Sequence, residues 1–282
     1  MAALIFSLAS AASWGISDFL GGLQTRRLPV LGVLAVSQPA GLVLIALLIA
    51  LTGADPISAG KLAIAFAAGA ASLGGLAAFY SAMAMGTVSV VAPIAALGVV
   101  VPVVVGLAEG ESPGVIQLAG LVPAIAGVVV LSYEERPEHV ESARTARLSI
   151  VLAIVAGLGF GIFFTGLDAA AADRPGWAIL AVRVGGVATV LAALLVARPR
   201  LDGVRAAWPV LIVIGGFDVL ANALFAIAST KGVLPVVAVG GSMYPAFTVA
   251  LAHAVLGERL ATLQWTGVVL ALGGVAMIAA GS

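Results

Sequence analysis

Three charged side chains are the clear candidates for ions held inside the long apolar stretches of this 282-residue sequence: Asp18, Arg183 and Asp218. An ion in hydrocarbon is costly unless it is paired or hydrated, so each marks a place that needs a partner, water or a ligand. Arg183 lies seven residues into the stretch 176–197, and Asp218 twelve residues before the end of 207–230, on the same side of a bilayer. At about 1.5 Å per helical residue their depths are roughly 10 and 18 Å, a gap that a guanidinium on its flexible stem can largely close. Structurally this reads as an Arg183–Asp218 ion pair. Functionally it reads as a pair that borders a cavity and trades partners with a zwitterionic substrate. The two readings are compatible.

Other polar groups at depth extend the pattern. Gly215, Asp218, Asn222 and Phe225 share one helix face, either as a surface for an amphipathic ligand or as a polar seam to a neighbouring helix. Ser7, Ser10, Trp14, Ser17 and Asp18 recur at three- and four-residue steps and should face inward. Trp14 is near mid-span, so a cavity wall is favoured over an interfacial anchor. Asp18 lies about 8 Å from the end of its stretch. It sits either in a wet vestibule beside Arg26 or Arg27, or buried, where it would exchange protons during transport. Gln38 and Tyr80 complete the set, Tyr80 as cavity wall or as core. Gly240-Gly241-Ser242-Met243-Tyr244-Pro245 should interrupt its helix, because Pro245 has no amide to give the Gly241 carbonyl. Freed carbonyls at membrane depth persist where protein or a water-filled cavity satisfies them, so this segment points to a binding site, with Ser242 and Tyr244 offering hydroxyls. A packing kink is the other reading. Pro93 and Pro102 invite the same reading in the fourth stretch, so Pro93, Gly240, Gly241 and Pro245 are the candidate gating residues.

The elements that must position these groups are membrane spans. Hydrophobic residues make up 62% of the chain and charged residues 9%, where a soluble domain carries about 25% charge. Mean hydropathy is +1.21. The apolar runs are continuous and do not alternate with period two, which predicts helices and not a barrel. Ten spans are expected, near 2–23, 30–51, 61–85, 88–107, 113–133, 148–169, 176–197, 207–230, 233–256 and 262–281. The first lacks a basic leader and is read as a retained span, not a cleaved signal. The fold class is therefore all-α and polytopic.

Two halves of five spans, 1–133 and 148–282, flank a polar linker at 134–147. The halves repeat. Shifting the first by 146 residues places Trp14-Gly15-Ile16 on Phe160-Gly161-Ile162, Gly69 on Gly215, and Val90-Val91-Ala92 on Val236-Val237-Ala238. One residue later in shift, Glu111 meets Glu258, Gln117 meets Gln264, Gly120 meets Gly267 and Gly127 meets Gly274. An odd number of spans per repeat inverts the second copy, the arrangement from which many carriers build two exchangeable gates. Arg26, Arg27, Arg136, Arg144, Arg147, Arg198, Arg200, Arg205 and Arg259 fall on one face, Lys61, Arg174 and Lys231 on the other. The positive-inside rule then puts the linker in the cytoplasm and both termini outside. Glu111 and Glu258 are expected to serve the N-termini of the helices that follow them.

Trp14-Gly15-Ile16-Ser17-Asp18-Phe19-Leu20-Gly21-Gly22, followed by Arg26-Arg27, resembles the start of a drug/metabolite transporter of the EamA type. Gly257-Glu258-Arg259-Leu260, Gln264-Trp265-Thr266-Gly267 and Gly273-Gly274-Val275 are similar to that family's repeat signature, with a weaker copy at Glu109-Gly110-Glu111, Gln117 and Gly120. The resemblance covers the whole chain. It implies export or exchange of small metabolites through a cavity formed mainly by spans 1–4 and 6–9, with spans 5 and 10 as packing or dimer contacts. Two departures stand out. Many members carry a basic residue early in both span 2 and span 7; here span 7 has Arg183, but span 2 reads Ser37-Gln38-Pro39. Many have a mid-span proline in both span 4 and span 9; here Pro245 is matched by Val99.

The functional expectation is a secondary-active transporter of small organic metabolites, such as amino acids or related amphipathic compounds, working by alternating access in the cytoplasmic membrane of a prokaryote. Proton or substrate counter-flow and a homodimer are further expectations, with membrane lipid as the surrounding partner. The rivals are a passive channel, a non-transporting membrane protein and a membrane-embedded enzyme. An enzyme would call for clustered acids or histidines near one interface. The chain has no cysteine and two histidines, His139 and His253, with no metal-ligand spacing. It carries no nucleotide-binding motif, and its formal net charge of zero argues against a nucleic-acid partner. No cofactor, metal or catalytic residue is expected.

Overall fold

Long runs of Leu, Ala, Val and Ile satisfy their backbone internally as helices, and the described residues contain helices and no strand. A computed structural model describes residues 1–85, 88–131, 143–171, 174–256 and 262–280. Its helices are α1 (Ala2–Thr25), α2 (Val30–Thr52), α3 (Ala59–Met85), α4 (Val88–Ala96), α5 (Val100–Ala108), α6 (Val115–Leu131), α7 (Ala143–Ala171), α8 (Pro175–Ala197), α9 (Trp208–Ser229), α10 (Leu234–Gly241), α11 (Tyr244–Leu256) and α12 (Thr262–Ala280).

Seven segments are long and apolar enough to cross a bilayer: α1, α2, α3, residues 147–171 of α7, α8, α9, and α10 with α11 taken together. The fourth expected span is shorter and in two pieces, and α6, at the fifth, has 17 residues. α7 begins at Ala143, inside the segment read as a linker. The rest of that segment, with His139 and Arg136, lies outside the described residues, as do Glu258 and Arg259.

Polarity is arranged inside out. Ser7, Ser10, Ser17, Gln38, Arg183 and Asn222 are buried, while Leu47, Leu51, Leu195 and Val196 are exposed. Water would not tolerate that arrangement, and lipid favours it. The chain is an integral membrane protein.

The repeat governs how the halves meet. Along one seam α1 and α9 run antiparallel: Ser10 donates to the Ala221 carbonyl at 2.8 Å, Trp14 to Asp218 at 3.2 Å and Ser17 to the Ile214 carbonyl at 3.1 Å. Along a second seam α7 and α3 run antiparallel, with Ser149 against Ala82, Gly159 against Gly75 and Gly166 against Ala68. Shifting by 146 residues and exchanging the halves turns one seam into the other: Ser10–Ala221 becomes Ala156–Gly75, which also touch. The glycines follow the same rule. Gly15 lies against the Tyr244 carbonyl, and its mate Gly161 against the carbonyl of Gly98, the mate of Tyr244. Gly69 abuts the Val182 backbone and Gly215 the Ser37 backbone. These approaches leave no room for a Cβ, which is why glycine stands there. α2 packs on its own mate α8, and α6 on its mate α12, so a pseudo-two-fold axis relates the halves.

Both interrupted spans break at matching places. α10 ends at Gly241, the Ser242 amide closes a last full turn on the Ala238 carbonyl, the Met243 amide tightens onto the Gly240 carbonyl, and α11 starts at Tyr244. In the first half a 3-10 turn, Leu97–Val99, separates α4 from α5. Leu97 is the mate of Met243. Pro93 lies within α4 and not at the break, so the expected helix break at Pro93 is corrected to Leu97–Val99, followed by Pro102.

Glu111 also departs from expectation. Its carboxylate accepts the Leu234 amide at 2.8 Å, so it serves the first turn of α10 in the other half. The turn before its own next helix, α6, is tied instead by Gln117 Oε1 and the Gly114 amide.

Candidate functional site

The seams bring α1, α3, α7, α8 and α9 around one axis, and polar groups collect there. Asp218 takes three donors: Arg183 Nη1 at 2.6 Å, Gln38 Nε2 at 3.2 Å and Trp14 Nε1 at 3.2 Å. Arg183 Nη1 also donates to Gln38 Oε1 at 2.9 Å. Arg183 is 2% exposed and Asp218 14%, so the pair is withdrawn from lipid. Gln38 stands beside Ser37, the mate of Arg183. The knot of α2, α8 and α9 therefore straddles the axis, and Gln38 fills the span 2 position with a neutral donor and acceptor. Among the described residues, two guanidinium nitrogens of Arg183, Nε and Nη2, find no hydrogen-bond partner.

Two hollows meet at Asp218. The larger, about 400 Å³, is lined by Trp14, Asp18, Phe160, Phe163, Phe164 and Tyr244, with Ser72, Leu76 and Asp218 on the wall that it shares with its neighbour. The smaller, about 250 Å³, adds Gln38, Arg183, Gly186 and Asn222. The larger hollow takes residues from both halves. Its wall is built from repeat mates: Trp14 with Phe160, Asp18 with Phe164, and Ser72 with Asp218. The hollow thus lies on the axis, while its chemistry is lopsided, with both acids opposite aromatic or hydroxyl mates.

The rings brace one another. Trp14 meets Phe163 and Phe164 edge-on at 5.9 and 5.4 Å between centroids, and Phe225 stacks on Phe164 at 4.8 Å. Tyr244 starts α11 and donates its hydroxyl to the Ala92 carbonyl at 3.2 Å, which ties together the two interrupted spans. Gly241 sits where a Cβ would press on the Phe225 ring and Trp14, and Gly240 where one would strike Ser7.

Of the residues singled out by sequence, Trp14, Asp18, Asp218 and Tyr244 converge on the larger hollow, and Gln38, Arg183, Asp218 and Asn222 on the smaller. Gly240, Gly241 and Pro245 flank the break in the ninth span. Asp18 is buried among the helices and forms no ion pair with Arg26 or Arg27, so the vestibule reading is set aside. Two residues line neither hollow. Tyr80 is buried beside Phe79 with its hydroxyl against Gly21, so it belongs to the core. Ser242 spends its hydroxyl on the Val239 carbonyl, 2.8 Å away, one turn back in its own helix. Sequence reasoning passed over Phe160, Phe163, Phe164, Ser72 and Leu76. The signal for most of them was the repeat itself, because Phe160, Phe164, Ser72 and Leu76 are the mates of Trp14, Asp18, Asp218 and Asn222.

No curated protein matches this chain. One solved crystal structure, titled only as that of a protein, superposes with a TM-score of 0.77 at 16% identity, over 98% of this chain and 95% of that one, which shows a shared fold. The model of the EamA-like transporter family matches twice, over residues 1–133 and 147–280, once per repeat. The chain belongs to the EamA-like transporter family.

Proposed function

We propose that this protein is a secondary-active carrier of small amphipathic organic metabolites, amino acids or related compounds. It works by alternating access of two inverted five-span halves in the cytoplasmic membrane of a prokaryote. The observation that supports it most is the hollow on the axis, walled by repeat mates from both halves. A site on such an axis is equally placed with respect to both membrane faces, so exchanging the conformations of the halves exchanges the face to which it opens. The ninth span breaks beside it at Tyr244, and the fourth breaks where Gly98 crosses α7, supplying backbone that can adjust without unfolding a helix. Driving force comes from a gradient of substrate or ion.

Counterflow in proteoliposomes tests the reading. Vesicles loaded with unlabelled solute should accumulate labelled solute from outside beyond equilibrium, and vesicles loaded with buffer should not. Flux of the same size in both preparations would indicate a passive channel and overturn the proposal. No flux of any amino acid or amphipathic amine tried would point to a non-transporting protein.

A further inference from the structure

The geometry points to a charge for the ligand: the larger hollow takes the cationic head of a small amphipathic amine, between Asp18 and an aromatic wall. This rests on the carrier reading and narrows its solutes from amino acids and related compounds to amines without a carboxylate.

The charges of the site carry the argument. Two carboxyl groups, Asp18 and Asp218, reach the larger hollow, and none of the described residues lining it is cationic. The charge of Asp218 is answered from behind by Arg183, with Gln38 and Trp14 filling further acceptor positions. Asp18 is not answered. Among the described residues its carboxylate makes no hydrogen bond or ion pair, and besides its burial the group acting on it is Asp218, another acid. The hollow thus holds one carboxyl group without a partner among the described residues, 6% exposed and surrounded by protein. An anionic or neutral ligand leaves Asp18 without a counter-charge, so it keeps its proton, whereas an ammonium pairs with the carboxylate as that proton leaves.

The rings favour the same ligand. Trp14, Phe160, Phe163, Phe164 and Tyr244 contribute to one wall, and aromatic faces attract organic cations while accepting their alkyl or aryl bodies. The lopsided repeat gives direction. Asp18 has a phenylalanine as its mate and Asp218 a serine, so the acids lie on the α1–α9 side of the axis and Phe160, Phe163 and Phe164 of α7 on the other. A molecule with a charged head and an apolar body fits that division. Arg183 lines the smaller hollow, so a carboxylate on the ligand would have to pass Asp218 to reach it.

The test uses the full chain in nanodiscs at neutral pH and four ligands that share one phenyl ring: 2-phenylethylamine, 2-phenylethanol, phenylacetate and phenylalanine. Titration calorimetry should show the amine binding at least tenfold more tightly than the other three. Asp18→Asn should bring the amine within twofold of the alcohol and change the alcohol's own affinity less than twofold. Asp18→Glu should restore the preference. Should Asp18→Asn not fold, Phe163→Leu should lower amine affinity threefold or more relative to the alcohol. Tight binding of phenylacetate or phenylalanine, a retained amine preference in Asp18→Asn, or no binding of any of the four overturns the inference. Trans-stimulated exchange without amine selectivity removes this inference and leaves the carrier. Selective amine binding without exchange removes the carrier and leaves this site.

Discussion

Arg183 Nη1 and Asp218 Oδ2 stand 2.6 Å apart, and the bond reaches from α8 to α9 at the axis between the halves. The pair is intramolecular to the second half, yet Gln38 from the first half bonds both members. Its position makes it a clasp: α2 and α8 are repeat mates, and the clasp joins them through the neighbour of one.

Removing one member should therefore cost more than removing both. Arg183→Met leaves Asp218 buried and unpaired, a loss of about 3–5 kcal/mol by comparison with broken buried pairs. Asp218→Leu leaves the guanidinium in the same position. The double variant Arg183→Met/Asp218→Leu should unfold at a higher SDS fraction than the worse single variant. Additive losses would show that the two charges are satisfied independently.

Trp14→Phe isolates one bond at the same carboxylate. The ring stays, and the indole N–H that reaches Asp218 at 3.2 Å is lost. Hydrogen bonds to charged groups contribute about 1.5–3 kcal/mol. The variant should lose stability in that range and keep the ring contacts with Phe163 and Phe164. Unchanged unfolding would mean that Arg183 and Gln38 suffice for Asp218.

The clasp was legible in the sequence because a charge in lipid has few solutions, and Arg183 and Asp218 were within reach of each other. The ring wall was less legible. Phe160, Phe163 and Phe164 are apolar residues in an apolar span, so polarity contrast does not mark them. The repeat does: applying its shift to Trp14, Asp18 and Asp218 lands on Phe160, Phe164 and Ser72. Tyr80 and Ser242 show the opposite failure. Their hydroxyls lie at depth, but polarity does not say which way a side chain turns, and local packing or the helix's own carbonyl absorbed both. The break in the fourth span followed the symmetric crossing of Gly98 and Gly161, not the proline at 93.

The glycine crossings give a paired prediction. A Cβ at Gly69 would run into the Val182 backbone, and one at Gly215 into the Ser37 backbone. Backbone cannot rotate away, so Gly69→Ala and Gly215→Ala should each cost about 1–3 kcal/mol, as overpacking does. Gly74→Ala and Gly273→Ala, which face open space, should be neutral. Thermal unfolding in nanodiscs measures all four. Equal effects at crossing and open positions would contradict the two-fold packing.

Glu111 offers the last test, and it separates gate from site. Its carboxylate holds the Leu234 amide at 2.8 Å and so fastens the end of α5 to the start of α10. Helix N-termini favour a carboxylate, and losing a capping acceptor costs about 0.5–2 kcal/mol. Opening one face requires its latch to release. Glu111→Ala should therefore lower the unfolding temperature and shift the balance of the two access states, while equilibrium affinity in the larger hollow changes little because Glu111 does not line it. Cysteine-accessibility labelling at the start of α10 would read the shift as faster modification. Unchanged labelling together with weakened ligand binding would place Glu111 in the site and not in the gate.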